Sequence, residues 1–149
     1  LGCSPGGWLQ ILKQKLPYAK IIGIDLRDTQ AIPDIIIIKG DFLKEEVFQE
    51  LETLCDEGVD LVLSDMATDS SGDREIDHFK NVALVEMAIE FCKVRLKPNG
   101  NFVAKMIRGK DDQNLIKLLR TLFKQVKIFK PETSYKDSSE IYFIGLGWL

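Results

Sequence analysis

Short apolar runs alternate along this chain with stretches whose apolar residues recur every three to four positions. That is the pattern of strands interleaved with amphipathic helices. Ile21 to Asp25 reads as a short buried strand, and Ile35 to Ile38 as a second, ending at Lys39-Gly40-Asp41. From Phe42 to Glu57, Phe42, Leu43, Val47, Phe48, Leu51 and Leu54 fall at helical spacing. Val59 to Asp65 is the next strand, with an acid at its carboxyl end. Thr68 to Glu75 is polar and reads as a loop, and Asp77 is expected to cap the following helix, which carries Leu84, Met87, Ala88 and Phe91 on one face. Pro98-Asn99-Gly100 is expected to stop that helix. Asn101 to Met106 predicts a strand, and Asp111 or Asp112 caps a helix with Leu115, Leu118, Leu119, Leu122 and Phe123. Val126 to Phe129 and Ile141 to Leu146 close the series, which predicts an α/β domain with a mostly parallel sheet.

Ahead of the first strand stands a glycine-rich turn, Gly2-Cys3-Ser4-Pro5-Gly6-Gly7-Trp8, opening into an amphipathic run. Gly2, Gly6 and Gly7 let a backbone approach a ligand closely, and Asp25, about 20 residues on, can accept from ribose hydroxyls. The spacing is not the Gly-x-Gly-x-x-Gly of a dinucleotide fold, and the Gly-Lys-Ser/Thr ending of a phosphate loop is missing. An adenosine cofactor without phosphate fits better, and S-adenosylmethionine is the candidate. The competing reading of this segment alone is a plain Gly-Pro turn.

The chain has 149 residues, 45% hydrophobic and 29% charged. That is expected to form one domain over residues 1–149 with a substantial core. No apolar run approaches the roughly 20 residues that span a bilayer. The chain opens inside the glycine motif, without the strand that should lead into it, so it is read as lacking its N-terminal segment. Cys3, Cys55 and Cys92 are odd in number and widely spaced, which suits free thiols, and no metal is expected. The net charge of −3 does not suggest a nucleic-acid binder, but its distribution does. Residues 1–90 hold 8 Lys/Arg against 18 Asp/Glu, whereas residues 91–149 hold 12 against 5. A segregated basic surface, including Arg108, Lys110 and Lys136, can bind phosphates on an acidic chain. Solvated helix faces account for a good part of these lysines.

In open α/β sheets ligands collect outside the carboxyl ends of the strands. Asp25, Asp41 and Asp65 each stand at such an end, and Lys105 near another. The segments Gly2–Trp8, Ile24-Asp25-Leu26, Gly40-Asp41-Phe42, Ser64-Asp65-Met66-Ala67, Phe102–Lys105 and Lys130-Pro131 through Ser138-Ser139-Glu140-Ile141-Tyr142 occur in order. Across essentially the whole chain this resembles the FtsJ family of S-adenosylmethionine-dependent ribose 2′-O-methyltransferases. The resemblance implies a Rossmann-like class I methyltransferase fold, with a mostly parallel seven-stranded sheet and helices on both faces, its first strand largely missing here. It implies cofactor contacts at Gly6, Trp8, Asp25, Asp41 and Asp65, with Asp25 on the ribose hydroxyls and Asp41 on the adenine amino group. The family's catalytic set is Lys-Asp-Lys-Glu, of which Asp65, Lys105 and Glu140 are present; the first lysine belongs upstream of the glycine motif. Thr68 replaces the proline usual after Met-Ala.

A ribose 2′-hydroxyl is a poor nucleophile, so its attack on a sulfonium methyl needs help with the proton, and Lys105 is the expected general base. Neighbouring acids favour its ammonium form, while burial and a cationic sulfonium favour the free amine. A weaker role for Lys105, orienting the hydroxyl, stays open. His78 is expected to be structural, and Trp148 and Tyr142 to be core or edge-strand residues. Tyr135 with Lys136 is the candidate for touching RNA. The expected substrate is large-subunit ribosomal RNA, at a uridine, modified by a monomer in the cytoplasm (or the mitochondrion of a eukaryote). Transfer RNA, a messenger-RNA cap, a non-catalytic ribosome-binding module and, more distantly, a nicotinamide oxidoreductase are the competing readings.

Overall fold

The glycine turn runs directly into α1 (Gly7–Lys15) and then β1 (Ile21–Asp25), in a computed structural model that describes residues 1–132, 135 and 137–149. β2 (Ile35–Lys39) and α2 (Glu45–Leu54) follow. After them come β3 (Val59–Ser64), α3 (Arg74–Arg95), β4 (Leu96–Ile107), α4 (Asp112–Leu122), β5 (Phe123–Phe129) and β6 (Glu140–Trp148). Two compact units divide the chain, Leu1–Leu54 and Cys55–Leu149. Among the described residues no helix is long and apolar enough to cross a membrane.

In the first unit β1 and β2 pair in parallel, Ile21 with Ile35 through Asp25 with Lys39. Cys3, Leu9 and Ile21 are buried together, with Leu12, Ile32, Ile35 and Ile37 against them. α2 begins at Glu45, later than the apolar spacing suggested, because the Asp41 carboxylate accepts the Leu43 N–H and Asp41 C=O that of Lys44, closing a turn first.

The second unit holds a four-stranded sheet in the order β3-β4-β6-β5. β3 and β4 are parallel, whereas β6 is antiparallel to both β4 and β5. The described residues form six strands in two sheets, and two of the four pairings are antiparallel, so the expectation of a mostly parallel sheet gives way to a mixed one. The reason is that β5 and β6, consecutive in the chain, are also neighbours in the sheet, and consecutive neighbours pair most simply by reversing direction. One face of this sheet is sealed, with Phe102, Ala104, Met106 and Phe143 wholly buried, as are Ala88 and Cys92 of α3 and Leu119 of α4. Burial pushes the Cys92 thiol well above its ordinary value, which makes it a packing residue. α3 and α4 lie side by side, lining a groove with Ala83, Met87, Ile89 and Leu118.

Three further expectations are revised. Phe123 is not on α4 but begins β5, where its ring stacks on Phe102 at 6.0 Å. Pro98-Asn99-Gly100 lies within β4, at a register shift between Val59 and Leu61 of β3, and α3 has already ended at Arg95. The cap of α3 is Asp73, whose carboxylate accepts the N–H groups of Glu75 and Ile76. Asp77 sits inside the helix and reaches back to the loop, accepting the Ser70 O–H at 2.8 Å and the Ser71 N–H at 2.8 Å.

The hydrogen bonds from Ser71, then Ser70, hold the Asp77 carboxyl below its ordinary value, and Lys80 adds to this. A depressed folded-state value means that Asp77 stabilises the fold in full above the usual aspartate value of about 3.9. That contribution is lost as pH falls through the lower folded-state value. Asp77→Asn is therefore expected to flatten the acid limb of the stability curve, read as urea midpoints between pH 2 and 6. An unchanged slope would show that the loop contact carries no proton linkage.

Candidate active site

Parallel pairing brings β3 and β4 out together, Ser64 opposite Ala104, so Asp65 leaves the end of β3 beside Lys105. Antiparallel pairing then sets Tyr142 of β6 opposite Lys105. The three side chains meet on one oxygen: Lys105 Nζ lies 3.3 Å from Asp65 Oδ1, and the Tyr142 hydroxyl donates to the same atom at 3.0 Å. Lys105 is mostly withdrawn from solvent, its side chain 12% exposed, and Asp65 less so at 30%. Burial, then the Asp65 charge and hydrogen bond, push the Tyr142 phenol well above its ordinary value. It therefore stays a proton donor to Asp65 at any working pH. Glu140, two residues before Tyr142 on the same face, is exposed and adds its charge to those surroundings. Tyr142, expected to be a core or edge-strand residue, instead touches the acid beside Lys105. The signal was its two-residue spacing from Glu140, which puts both on one side of a strand.

Behind Lys105 a second set of polar residues fixes the strand end. Asn81 and His78, both buried, project from α3 toward Ile107. Asn81 Oδ1 accepts the Ile107 N–H at 2.7 Å, and His78 Nδ1 lies 2.9 Å from the Ile107 carbonyl. The Asp111 N–H donates to His78 Nε2 at 3.2 Å, so Nδ1 is the ring's donor. Gly109 crosses the imidazole so closely that a Cβ there would stand 2.3 Å from Nδ1. His78 is thus structural, as expected, and its work is to bind the segment that follows Lys105. Asp77, His78 and Asn81 together tie α3 to the loops leaving β3 and β4.

The first unit presents the other expected residues. Gly2 and Gly6 take positive φ values of 70° and 123°. The N–H groups of Gly2 and Cys3 both bond the Ile24 carbonyl, and Ser4 N–H donates to Asp25 Oδ2 at 2.9 Å. Asp25 Oδ1 takes the Arg27 N–H at 2.8 Å. The glycine turn is thereby fastened to the end of β1, and Asp41 lies just past β2, where the Gly40 N–H bonds the Asp25 carbonyl. Trp8 is partly buried on α1, while Gly7 is exposed, with nothing within 4 Å of where a Cβ would be.

Of the basic residues, Arg108 is exposed, and Lys110 is paired to Glu75 at 2.8 Å, which raises its ammonium's affinity for the proton. Lys136 lies outside the described residues, and Tyr135 is exposed.

Residues 1–148 match the FtsJ-like methyltransferase family. The chain belongs to that family. As an FtsJ-like methyltransferase it is 44% identical over 148 residues to ribosomal RNA large subunit methyltransferase E of Novosphingobium aromaticivorans, covering 99% of this chain and 67% of that protein. The same-named protein of Zymomonas mobilis is 44% identical over 144 residues, covering 97% of this chain and 65% of its own length. The chain thus spans about two thirds of the length of these relatives. A crystal structure of a protein described as a ribosomal RNA methyltransferase from Plasmodium falciparum superposes with a TM-score of 0.87 at 28% identity, covering 99% of this chain and 84% of that one. Human methyltransferase-like protein 13, crystallised with S-adenosylhomocysteine, shares the fold at a TM-score of 0.64 and 13% identity, over 97% of this chain and 68% of that one. The FtsJ-like methyltransferase fold expected from the sequence is thus the fold of this chain.

Proposed function

We propose that this methyltransferase transfers a methyl group from S-adenosylmethionine to a ribose 2′-hydroxyl of large-subunit ribosomal RNA, with uridine as the target base. The observation that carries this reading is the convergence of Lys105 and Tyr142 on Asp65 Oδ1, in a chain of this family. The relatives' name supplies the substrate class.

The chemistry of the first unit suits an uncharged adenosine group. Each Asp25 oxygen already accepts one backbone N–H, which aims the carboxylate and leaves lone pairs for ribose hydroxyls. Asp41 is assigned the adenine amino group, and the backbone of Gly2, Gly6 and Gly7 with Trp8 the remaining contacts. The open space beside Gly7 is what a closely approaching ligand requires. When bound, S-adenosylmethionine supplies the electrophilic methyl.

Lys105 Nζ is the group assigned to the reacting hydroxyl: it holds the 2′-oxygen and receives its proton as that oxygen becomes an ether. Asp65 fixes the Lys105 side chain from one side, the lysine entering the step as the free amine whose lone pair takes the proton, and the Tyr142 donor keeps Asp65 from turning away. Glu140 completes the acidic surround. A large-ribosomal-subunit setting, a basic surface that includes Arg108, Lys110 and Lys136, a monomeric enzyme and a cytoplasmic (or mitochondrial) location are part of this reading.

The test is transfer of labelled methyl groups to under-methylated large ribosomal subunits, free ribosomal RNA and transfer RNA, mapped by nucleoside mass spectrometry. A 2′-O-methyl mark confined to large-subunit RNA is the expected result. A mark on transfer RNA would replace the substrate, and no transfer to any of the three would overturn the reading.

A further inference from the structure

β5 is the edge strand of the four-stranded sheet, and its last residue shares a rung with the residues assigned to the proton. Phe129 pairs with Tyr142, and Tyr142 with Lys105. Directly opposed residues project from the same face, so the order across that face is Phe129, Tyr142, Lys105. With neighbouring strands about 4.8 Å apart, the Phe129 backbone stands roughly 10 Å from that of Lys105. β4 and β5 both run antiparallel to β6 and so point the same way. Phe129 and Lys105 therefore lie at the same, carboxyl-terminal edge of the sheet.

Packing does not account for Phe129. Its pairing partner Tyr142 is partly buried, yet Phe129 is 51% exposed. A phenyl ring gains most when it is removed from water. Its neighbours along the chain are cationic: Lys127, two residues back on the same face, and Lys130, next in the chain, are both exposed, while the acids Asp65 and Glu140 lie on the far side, about Tyr142. No Asp or Glu occurs from Phe123 to Pro131. Lys130 also donates to the Ser138 carbonyl, which leaves two of its N–H groups for another acceptor. A protein partner would want a larger continuous apolar patch. An aromatic face bordered by lysines matches single-stranded RNA, whose bases stack on aromatic rings while phosphates meet the cations.

We propose that Phe129 is a stacking platform for a nucleobase of the RNA strand whose ribose lies at Lys105, with Lys127 holding an adjacent phosphate. The inference rests on the ribose-methylation reading above and adds to it a subsite at the sheet edge. The span of roughly 10 Å between the backbones suits the base of the reacting nucleotide or its immediate neighbour. Phe129 acts on substrate placement and takes no part in the proton's path.

Steady-state methylation of ribosomal RNA and fluorescence anisotropy with a labelled single-stranded oligoribonucleotide test this on the full-length enzyme. Phe129→Ala is expected to raise the KM for RNA and the Kd for the oligonucleotide about ten-fold. The KM for S-adenosylmethionine and the melting temperature should not change. Phe129→Tyr, which keeps the ring face, should restore both values, and Phe129→Leu, which keeps only apolar bulk, should not. Lys127→Ala should lower the slope of log affinity against log salt by about one. An unchanged Kd in Phe129→Ala, or full rescue by Phe129→Leu, would overturn the platform. The anisotropy arm needs no methyl transfer, so a loss of binding in Phe129→Ala alongside an inactive wild type would sink the catalytic reading and leave the platform standing.

Discussion

Lys105→Ala is expected to lower the rate of methyl transfer by about 10²- to 10⁴-fold, the range lost when a positioned acid–base group is removed. The affinity for S-adenosylmethionine should hold, because Lys105 is not among the residues assigned to the cofactor and only Asp65 of that set touches it. The Asp65 carboxylate would lose an ion partner at 3.3 Å but keep the Tyr142 donor at 3.0 Å, so the loop after β3 should stay in place. Lys105→Arg sharpens the test. Guanidinium preserves the charge beside Asp65 but does not give up its proton in a protein, so it cannot take one from a hydroxyl. If Lys105 receives the proton, the Arg variant should be as slow as the Ala variant in single-turnover assays. Near-wild-type turnover in Lys105→Arg would mean that the lysine serves by charge alone.

His78→Ala should produce the largest loss of stability. Removing the imbiber of two backbone groups, the Ile107 carbonyl and the Asp111 N–H, leaves both without their partner and opens a cavity. An unpaired buried polar group costs about 1–3 kcal/mol, and the cavity adds to it. A total of about 3 kcal/mol corresponds to a fall in Tm of roughly 6–12 °C for a chain of this size. Turnover should fall as well, because Ile107 lies two residues past Lys105 and the clamp fixes where that strand ends. Gly109→Ala attacks the same contact from the other side, since its new Cβ would stand 2.3 Å from the ring. Combining the two changes should cost less than their sum, because the added methyl then enters the space the imidazole vacated. Strict additivity in thermal melts would show that the ring and the glycine are not coupled.

Some of this was readable in the residues. The isoleucine runs of β1 and β2 marked their own ends, and Asp25, Asp41 and Asp65 each stand at or just past the carboxyl end of a strand. The glycine turn was legible because only its backbone geometry explains so many glycines before a helix. What escaped was direction and distance. An apolar run such as Ile141–Leu146 does not say which way it points in a sheet. Asp77 has the sequence position of a cap because it precedes the apolar face. Asp73, just after Gly72, had the better position, and it released Asp77 to hold Ser70 and Ser71. The clamp was hidden because Asp77, His78 and Asn81 follow the helical spacing of a core face while being polar. Asp77 holds the Ser70 hydroxyl and the Ser71 N–H, and His78 and Asn81 hold backbone groups of the distant Ile107 and Asp111, pairings that no side-chain pattern encodes.

β6 follows the other five described strands in chain order, yet it fills the slot between β4 and β5. During synthesis, therefore, β4 waits with one edge unpaired until the last strand arrives, an arrangement that favours delayed closure over stepwise growth. Tyr142 travels on that strand, so the nascent chain cannot brace Asp65 against Lys105 before its sheet is complete. Ribosome-bound chains stalled before residue 140 should accordingly remain open to protease at β4, and competence for chemistry should appear together with protection, in one late event.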